Sequence, residues 1–330
     1  MKLSETLARI LIMMAILGAV GMPLFIWAQT PLIHAKVAED GGWNPDVLQA
    51  KVGEPLVLRL TSDDVIHGFG IGQKPLQSVD VLPGKVTDIT LTFDKPGTYT
   101  FYCTRWCGIN HWRMRGTIEI TDLSSDPQTS ISPPLYVTLG LDLDAPHNSP
   151  VVPTQKPSEI IGQVNQVPDS PIYGSADYYY RHSPYGTWQS LRAYPSLSNL
   201  SDQQIWNMVA VIWRSNTTPE ALANGRQLYA QNCAACHGET GAGNGVFADE
   251  LKAAGESAAQ TMAGSGDMTM QTPADFTDPK RMLGASPALL QGKILRGGMG
   301  TGMPSWGPIF TEEQIWNLLA YLYSFQFEYR

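Results

Sequence analysis

Cys103-Thr104-Arg105-Trp106-Cys107-Gly108-Ile109-Asn110-His111-Trp112-Arg113-Met114 decides how this chain is read. Two thiols, an imidazole and a thioether fall within twelve residues. Thiolate and thioether donors are soft and select copper or zinc, and a long, weak Met bond beside His and Cys is a habit of copper sites. A disulfide between Cys103 and Cys107 leaves His111 and Met114 unexplained, and zinc does not recruit Met. A mononuclear copper site uses one Cys, whereas two can bridge a pair of copper ions. Each ion then needs its own His. His111 serves one, and His67, in Asp64-Val65-Ile66-His67-Gly68-Phe69, is the candidate for the other.

Working outward, residues 30–122 read as all-β. Leu56, Leu58 and Leu60 alternate with Val57, Arg59 and Thr61, and Ile89, Leu91 and Phe93 alternate with Thr90 and Thr92. Tyr99, Phe101 and Cys103 alternate with Thr100 and Tyr102, and Ile118 and Ile120 flank Glu119. Period-two patterns with one apolar face predict a sandwich of two sheets. Asp94-Lys95-Pro96-Gly97 reads as a hairpin turn. The metal-ligating residues then fall on loops at one end, with His67 and Cys103 at neighbouring strand ends. His34 reads as a surface or hydrogen-bonded histidine.

The pattern C-x-x-x-C-x-x-x-H-x-x-M with an upstream His resembles the binuclear copper (CuA) centre of subunit II of the haem-copper oxidases. The resemblance runs through Asp64–Ile71 and Val81–Ile120, and is nearest to subunits II with a single membrane helix. It implies a cupredoxin sandwich holding two copper ions. The ligands it implies are His67, Cys103, Cys107, His111, Met114 and the backbone carbonyl of Arg105. Many family members have Glu where Arg105 stands, and its carboxylate helps hold a magnesium ion. Arg105 cannot do that, but any residue supplies a carbonyl.

A second motif is Cys233-Ala234-Ala235-Cys236-His237. C-x-x-C-H reads as covalent attachment of a c-type haem, with the His as axial ligand. It follows a predicted helix over 219–232, with Thr218 as N-cap and Pro219 in the first helical position. A thioredoxin-like redox role would need a β-α-β setting, which is missing. The second axial ligand is expected to be Met303, because Met303-Pro304 shortly before a terminal amphipathic helix resembles class I cytochromes c. Met299 is the alternative, while Met262, Met268 and Met270 lie in a Gly/Ala/Ser/Met-rich insert and read as loop or packing residues. The two motifs use all four cysteines.

Ile10 to Ala28 is an uncharged run of 19 residues, long enough to span a hydrocarbon core. Lys2 and Arg9 at its start place the N-terminus in the cytoplasm and the rest outside the cell membrane. A cleaved signal peptide is the competing reading, but its apolar core is usually shorter, and no small-x-small pattern marks a cleavage site. The net charge is −8 and no block after residue 29 is basic, which argues against nucleic acid as a partner.

The expected organisation is therefore multi-domain. A transmembrane anchor (1–29) precedes the all-β copper domain (30–122) and a Pro-rich linker or wrapping segment (123–170), where His147 reads as solvent-exposed. An all-α cytochrome c domain (214–330) ends the chain. Residues 171–213 read as a haemless cytochrome c-like remnant. Ser201-Asp202-Gln203-Gln204-Ile205-Trp206-Asn207 parallels Thr311-Glu312-Glu313-Gln314-Ile315-Trp316-Asn317, each with a capping box. Ser183-Pro184 parallels Ser286-Pro287, and Tyr194 takes the place of Met303. His182 is the one residue there that could bind haem.

The resemblance implies the subunit II of a respiratory cytochrome c oxidase with a fused cytochrome c, carrying binuclear CuA and one covalent haem c. Electrons would pass from a donor to the haem, then to copper, then to the haem-copper subunit I beside other membrane subunits. The donor would be a cytochrome c, a cupredoxin or a quinol-oxidising complex. No general acid, nucleophile or phosphate loop is evident, so the oxygen chemistry is assigned to subunit I. A nitric oxide reductase subunit and a free-standing, membrane-tethered carrier are the alternatives.

Overall fold

The computed structural model describes residues 32–122 except 75–77, 106 and 109–110, and residues 133–329 except 166, 169–170, 254–272 and 299–302, with a short piece at 12–14. The apolar run Ile10–Ala28 thus lies outside the described residues except for Ile12–Met14. Among the described residues no helix is long and apolar enough to cross a membrane. The chain divides into two compact units, one up to residue 126 apart from the loop 72–75, the other over 127–330 with that loop.

The first unit is a sandwich of two sheets. Its strands are β1 (Leu32–Ala35), β2 (Trp43–Asn44), β3 (Val47–Lys51), β4 (Leu56–Ser62), β5 (His67–Ile71), β6 (Val79–Val81), β7 (Thr87–Leu91), β8 (Gly97–Cys103) and β9 (Arg115–Thr121). One sheet runs β2-β1-β4-β7 and the other β3-β9-β8-β5-β6. Leu58, Leu60, Phe101, Ile118 and Ile120 point inward as their alternation predicts, and pack with Ile33, Trp43, Phe69 and Phe93. Trp43 meets Phe69 edge-on at 5.6 Å and Phe69 stacks on Phe101 at 5.5 Å, an aromatic centre beneath the metal-ligating loops.

The hairpin expected at Asp94–Gly97 is not one. β7 pairs with β4, and β8 pairs with β5 and β9, so this turn carries the chain from one sheet to the other. Turn residues mark where a chain reverses. They do not say whether the next strand bonds its predecessor or faces it across the core.

The second unit is helical: α1 (Leu135–Thr138), α2 (Glu159–Gly162), α3 (Ala176–Arg181), α4 (Pro184–Arg192), α5 (Asp202–Ser215), α6 (Pro219–Asn232), α7 (Ala234–His237), α8 (Pro279–Met282), α9 (Pro287–Arg296) and α10 (Glu312–Tyr323). Side-chain caps set most of these starts. Thr218 Oγ1 accepts from Ala221 N at 3.0 Å with Pro219 in the first turn, and Ser201 and Thr311 each close a full capping box. Two helix crossings share one device. Gly225 of α6 sits against the Asn317 carbonyl of α10, and Gly162 of α2 sits the same way against the Asn207 carbonyl of α5. A Cβ at either glycine would collide with that carbonyl oxygen, so the close approach needs glycine.

Residues 135–149 lie along α8 and α9. Tyr136 and Leu143 pack at Gly292, Asp144 takes both ends of the Arg296 fork at 2.7 and 2.8 Å, and Ser149 N donates to Lys280 O. His147 is half-buried in this strap, its Nδ1 3.2 Å from the Ala145 carbonyl, rather than solvent-exposed.

Candidate metal centre and haem site

The candidate metal ligands sit where β5 begins and β8 ends. β5 pairs with β8 through Phe69 and Cys103, which brings His67 beside the Cys103 sulfur. Cys103 Sγ lies 3.8 Å from His67 Nδ1, 3.6 Å from Cys107 Sγ and 3.2 Å from the Arg105 carbonyl oxygen. Cys107 Sγ lies 3.3 Å from Met114 Sδ. His111 is buried beside the Cys103 sulfur and helps lower its thiol pKa. All six residues named from the sequence thus converge. His67, Cys103, His111 and Met114 are buried, and both cysteines are free thiols.

The electrostatics favour a cation. The bond from Cys107, helped by His111 and His67 and opposed by burial, holds the Cys103 thiol far below its ordinary range. Cys107 is driven the other way, first by that same bond and then by burial. The two sulfurs therefore divide one proton readily, and the second thiolate needs positive charge nearby. Burial pulls His67 down, but Cys103 and Asp64 outweigh it and the net shift is upward. His67 Nε2 donates to Asp64 Oδ1 at 2.7 Å, leaving Nδ1 aimed at the sulfurs. A carboxylate behind a ligating imidazole fixes its tautomer and ring angle. Burial raises the Asp64 carboxyl, and the bonds from His67, Val37 N and Val65 N bring it below its usual value overall. Soft sulfur donors with two imidazoles fit copper.

His34 stands apart, 2.7 Å from Asp63 at the surface. Asp64 was visible in the sequence three residues before His67, but its role as the carboxylate behind the imidazole was not drawn from it.

The second site is built on α6 and α7. Tyr229 of α6 donates its hydroxyl to Gly238 O at 2.7 Å and packs on Tyr321 of α10 at 5.4 Å, which anchors the Cys233–His237 turn to the helix pair. The following loop closes over that turn through Gly243 N to His237 O, Gly245 N to Cys236 O and Phe247 N to Ala235 O. Burial, with Cys236 nearby, pushes the Cys233 thiol up to about 12, and burial pushes Cys236 to about 11. Both are thereby held as neutral thiols at neutral pH.

His237 Nδ1 donates to the Ala274 carbonyl at 3.0 Å, and its ring stacks on Phe276 at 4.6 Å. That bond leaves Nε2 as the lone-pair nitrogen, the form an iron ligand needs. Burial also lowers the His237 pKa, which keeps the ring neutral. Ala274 lies 37 residues from His237, and nothing local announced it. Met303 is half-buried and its carbonyl accepts from Gly298 N at 3.0 Å, while Met299 lies outside the described residues, as do Met262, Met268 and Met270. His182 stacks on Tyr178 at 3.9 Å and its Nδ1 is 2.9 Å from the Tyr178 carbonyl.

Comparison with known proteins agrees with this geometry. Residues 45–121 match the family described as cytochrome c oxidase subunit II, periplasmic domain. Residues 220–322 match the family described as cytochrome c oxidase, cbb3-type, subunit III. A cytochrome c oxidase subunit 2 from Thermus thermophilus is 38% identical over 81 residues, 24% of this chain and 59% of its own length. A second subunit 2, from a named strain of the same organism, is also 38% identical over 81 residues and is covered over 48% of its length. The chain thus spans about half the length of these curated relatives. Among solved structures, one chain of a heme-copper terminal oxidase dimer is 24% identical, covering 36% of this chain and 98% of that one, with a TM-score of 0.25. The periplasmic domain of subunit II of cytochrome oxidase from Bradyrhizobium japonicum is 24% identical, covering 23% of this chain and 54% of that one, with a TM-score of 0.22.

Proposed function

We propose that this chain, which joins a subunit II periplasmic domain to a cytochrome c domain, is the electron-receiving subunit of a respiratory terminal oxidase. The observation that carries the reading is the convergence of His67, Cys103, Arg105 O, Cys107, His111 and Met114 at one end of the sandwich. When bound, a copper pair and a covalent haem c supply one-electron couples. The protein's part is to hold donors in fixed places, exclude water and orient the sites. His67, Cys103, Cys107, His111, Met114 and the Arg105 carbonyl would hold copper. Cys233, Cys236, His237 and Met303 would hold haem. The helical unit would receive the external donor and the sandwich would serve a haem-copper subunit I, in a cell-membrane complex anchored through the N-terminal run.

Residues 158–215 are best read as a cytochrome c fold without haem. Both modules use a Ser-Pro helix start (Ser183-Pro184, Ser286-Pro287), a capping box on the last helix and the same Gly-to-carbonyl crossing, with Tyr194 where the other module has Met303. α2 then supplies the first helix of this module, which the sequence reading began only at residue 171. Its last helix buttresses the other module, since Trp213 meets Tyr323 and Phe327, each at 6.0 Å.

The test is metal and haem analysis of the purified membrane complex. Two copper per chain, a mixed-valence signal shared over both ions and one covalent haem are expected. One copper, or zinc, would defeat the binuclear reading. The large subunit that co-purifies, and whether the complex consumes oxygen or nitric oxide, tests the oxidase assignment.

A further inference from the structure

The copper loop is strapped to a strand that bears no ligand. After Cys103 the chain turns back across the start of β5, where Thr104 N donates to Gly68 O at 3.0 Å. Gly68 permits the crossing, because a Cβ there would collide with Thr104 Oγ1 and reach Arg105 Cγ. On the far side of β5 lies β6, with Asp80 paired to Gly68. Two contacts reach it from the loop. The Ser78 and Thr104 hydroxyls hydrogen-bond, and Arg105 lays its guanidinium on Asp80, Nε to Oδ1 at 2.6 Å and Nη2 to Oδ2 at 2.7 Å.

We propose that Asp80 is a positioning residue for the metal centre: by gripping the Arg105 fork it fixes the peptide whose carbonyl faces the copper-binding sulfurs. The inference rests on the copper reading above. A two-point Arg–carboxylate contact has a defined plane as well as a charge, so it fixes direction where a single contact would not. Both side chains are about half exposed, so the pair adds little to global stability. Its consequence is local. The Arg105 carbonyl oxygen is 3.2 Å from Cys103 Sγ, and its own side chain is what the clamp holds. Asp80 also neutralises a guanidinium that would otherwise stand alone beside the site.

The test uses the full-length protein and Asp80→Ala, Arg105→Gln and the exchanged pair Asp80→Arg/Arg105→Asp. Asp88→Ala, which breaks an ion pair with Arg59 in the other sheet, is the control. In metal-free protein, both single variants should raise amide exchange at residues 104–108 several-fold. In copper-loaded protein, a chelator should remove copper about tenfold faster, the size expected for a group that supports a ligand. The copper hyperfine pattern should change, and Asp80→Ala should raise the copper potential by leaving Arg105 unpaired. The exchanged pair should recover the slow removal and the native pattern, and Asp88→Ala should match the native protein throughout. Exchange and copper removal within twofold of native in both single variants would overturn the clamp. Should Asp80→Ala fail to fold, Arg105→Gln carries the same comparison. Failure of the native protein to bind copper would sink the metal reading alone, since exchange in metal-free protein still reports on the loop.

Discussion

Asp64 receives the His67 Nε2 proton and also caps Val37 N and Val65 N, so one carboxylate sets both the imidazole and the loop that carries it. Asp64→Asn keeps the shape and removes the charge. Copper affinity should fall roughly 10–100-fold, measured by competition against a chelator of known affinity. Unchanged affinity would mean that packing alone holds the ring. At the proposed haem site, Met303→Ala should alter the ligation spectrum of a bound haem, while Met299→Ala should leave it unchanged. The reverse result would move the axial ligand to Met299. The candidate ligands could be named from the sequence because each motif is local, with spacing that chemistry constrains. Their supports were less so. Asp80 and Arg105 are 25 residues apart, and they meet only because β6 falls in register beside β5. His237 and Ala274 meet across 37 residues of chain.

Among the elements, the glycine crossings decide how the helices pack. In an isolated helix Ala is favoured over Gly by up to about 1 kcal/mol. At Gly225 and Gly162 that gain is set against a backbone carbonyl that cannot step aside, and overpacking of this kind costs about 1–3 kcal/mol. Gly225→Ala should therefore lower the denaturant midpoint of the helical unit, and Gly162→Ala should do likewise through the α2–α5 crossing. Stabilisation by either would mean that the helices separate without cost. The caps were readable because they are written within four residues. The order of strands was not, as the sheet-crossing turn at Asp94–Gly97 shows. Neither was the strap at 135–149, because the Pro-rich segment 123–170 that contains it has the same composition whether it hangs free or lies against helices. That strap has its own pH signature. The hydrogen bond from Arg296, opposed slightly by burial, holds the Asp144 carboxyl below its usual value. A depressed carboxyl stabilises the docked strap above its unfolded pKa of about 3.9, and that contribution is lost as pH falls through the lower folded value. Amide exchange at 136–143 should rise in that acid window by a modest factor, since the pair is exposed. Asp144→Asn should raise exchange at neutral pH and flatten the acid step.

For the molecule as a whole, chain order argues for a direction of electron flow. The copper-type domain follows directly on the apolar N-terminal run, and the haem-type domain lies at the far end of the chain. Under the proposed anchoring through that run, the sandwich would be the part seated on a membrane subunit. A donor-facing module on the same chain then works at an effective concentration on the order of millimolar, whatever the supply of a diffusing carrier. Paired Cys233→Ala and Cys236→Ala substitutions in the full chain test this without removing any domain. The variant should lose covalent haem, keep its copper signal and still pass electrons from a small chemical reductant to the large subunit. Turnover with the natural donor should drop by most of its value. If that donor reduced the copper equally fast without the haem, the helical unit would not be the obligatory port. The copper domain would then have to present a donor-binding face of its own.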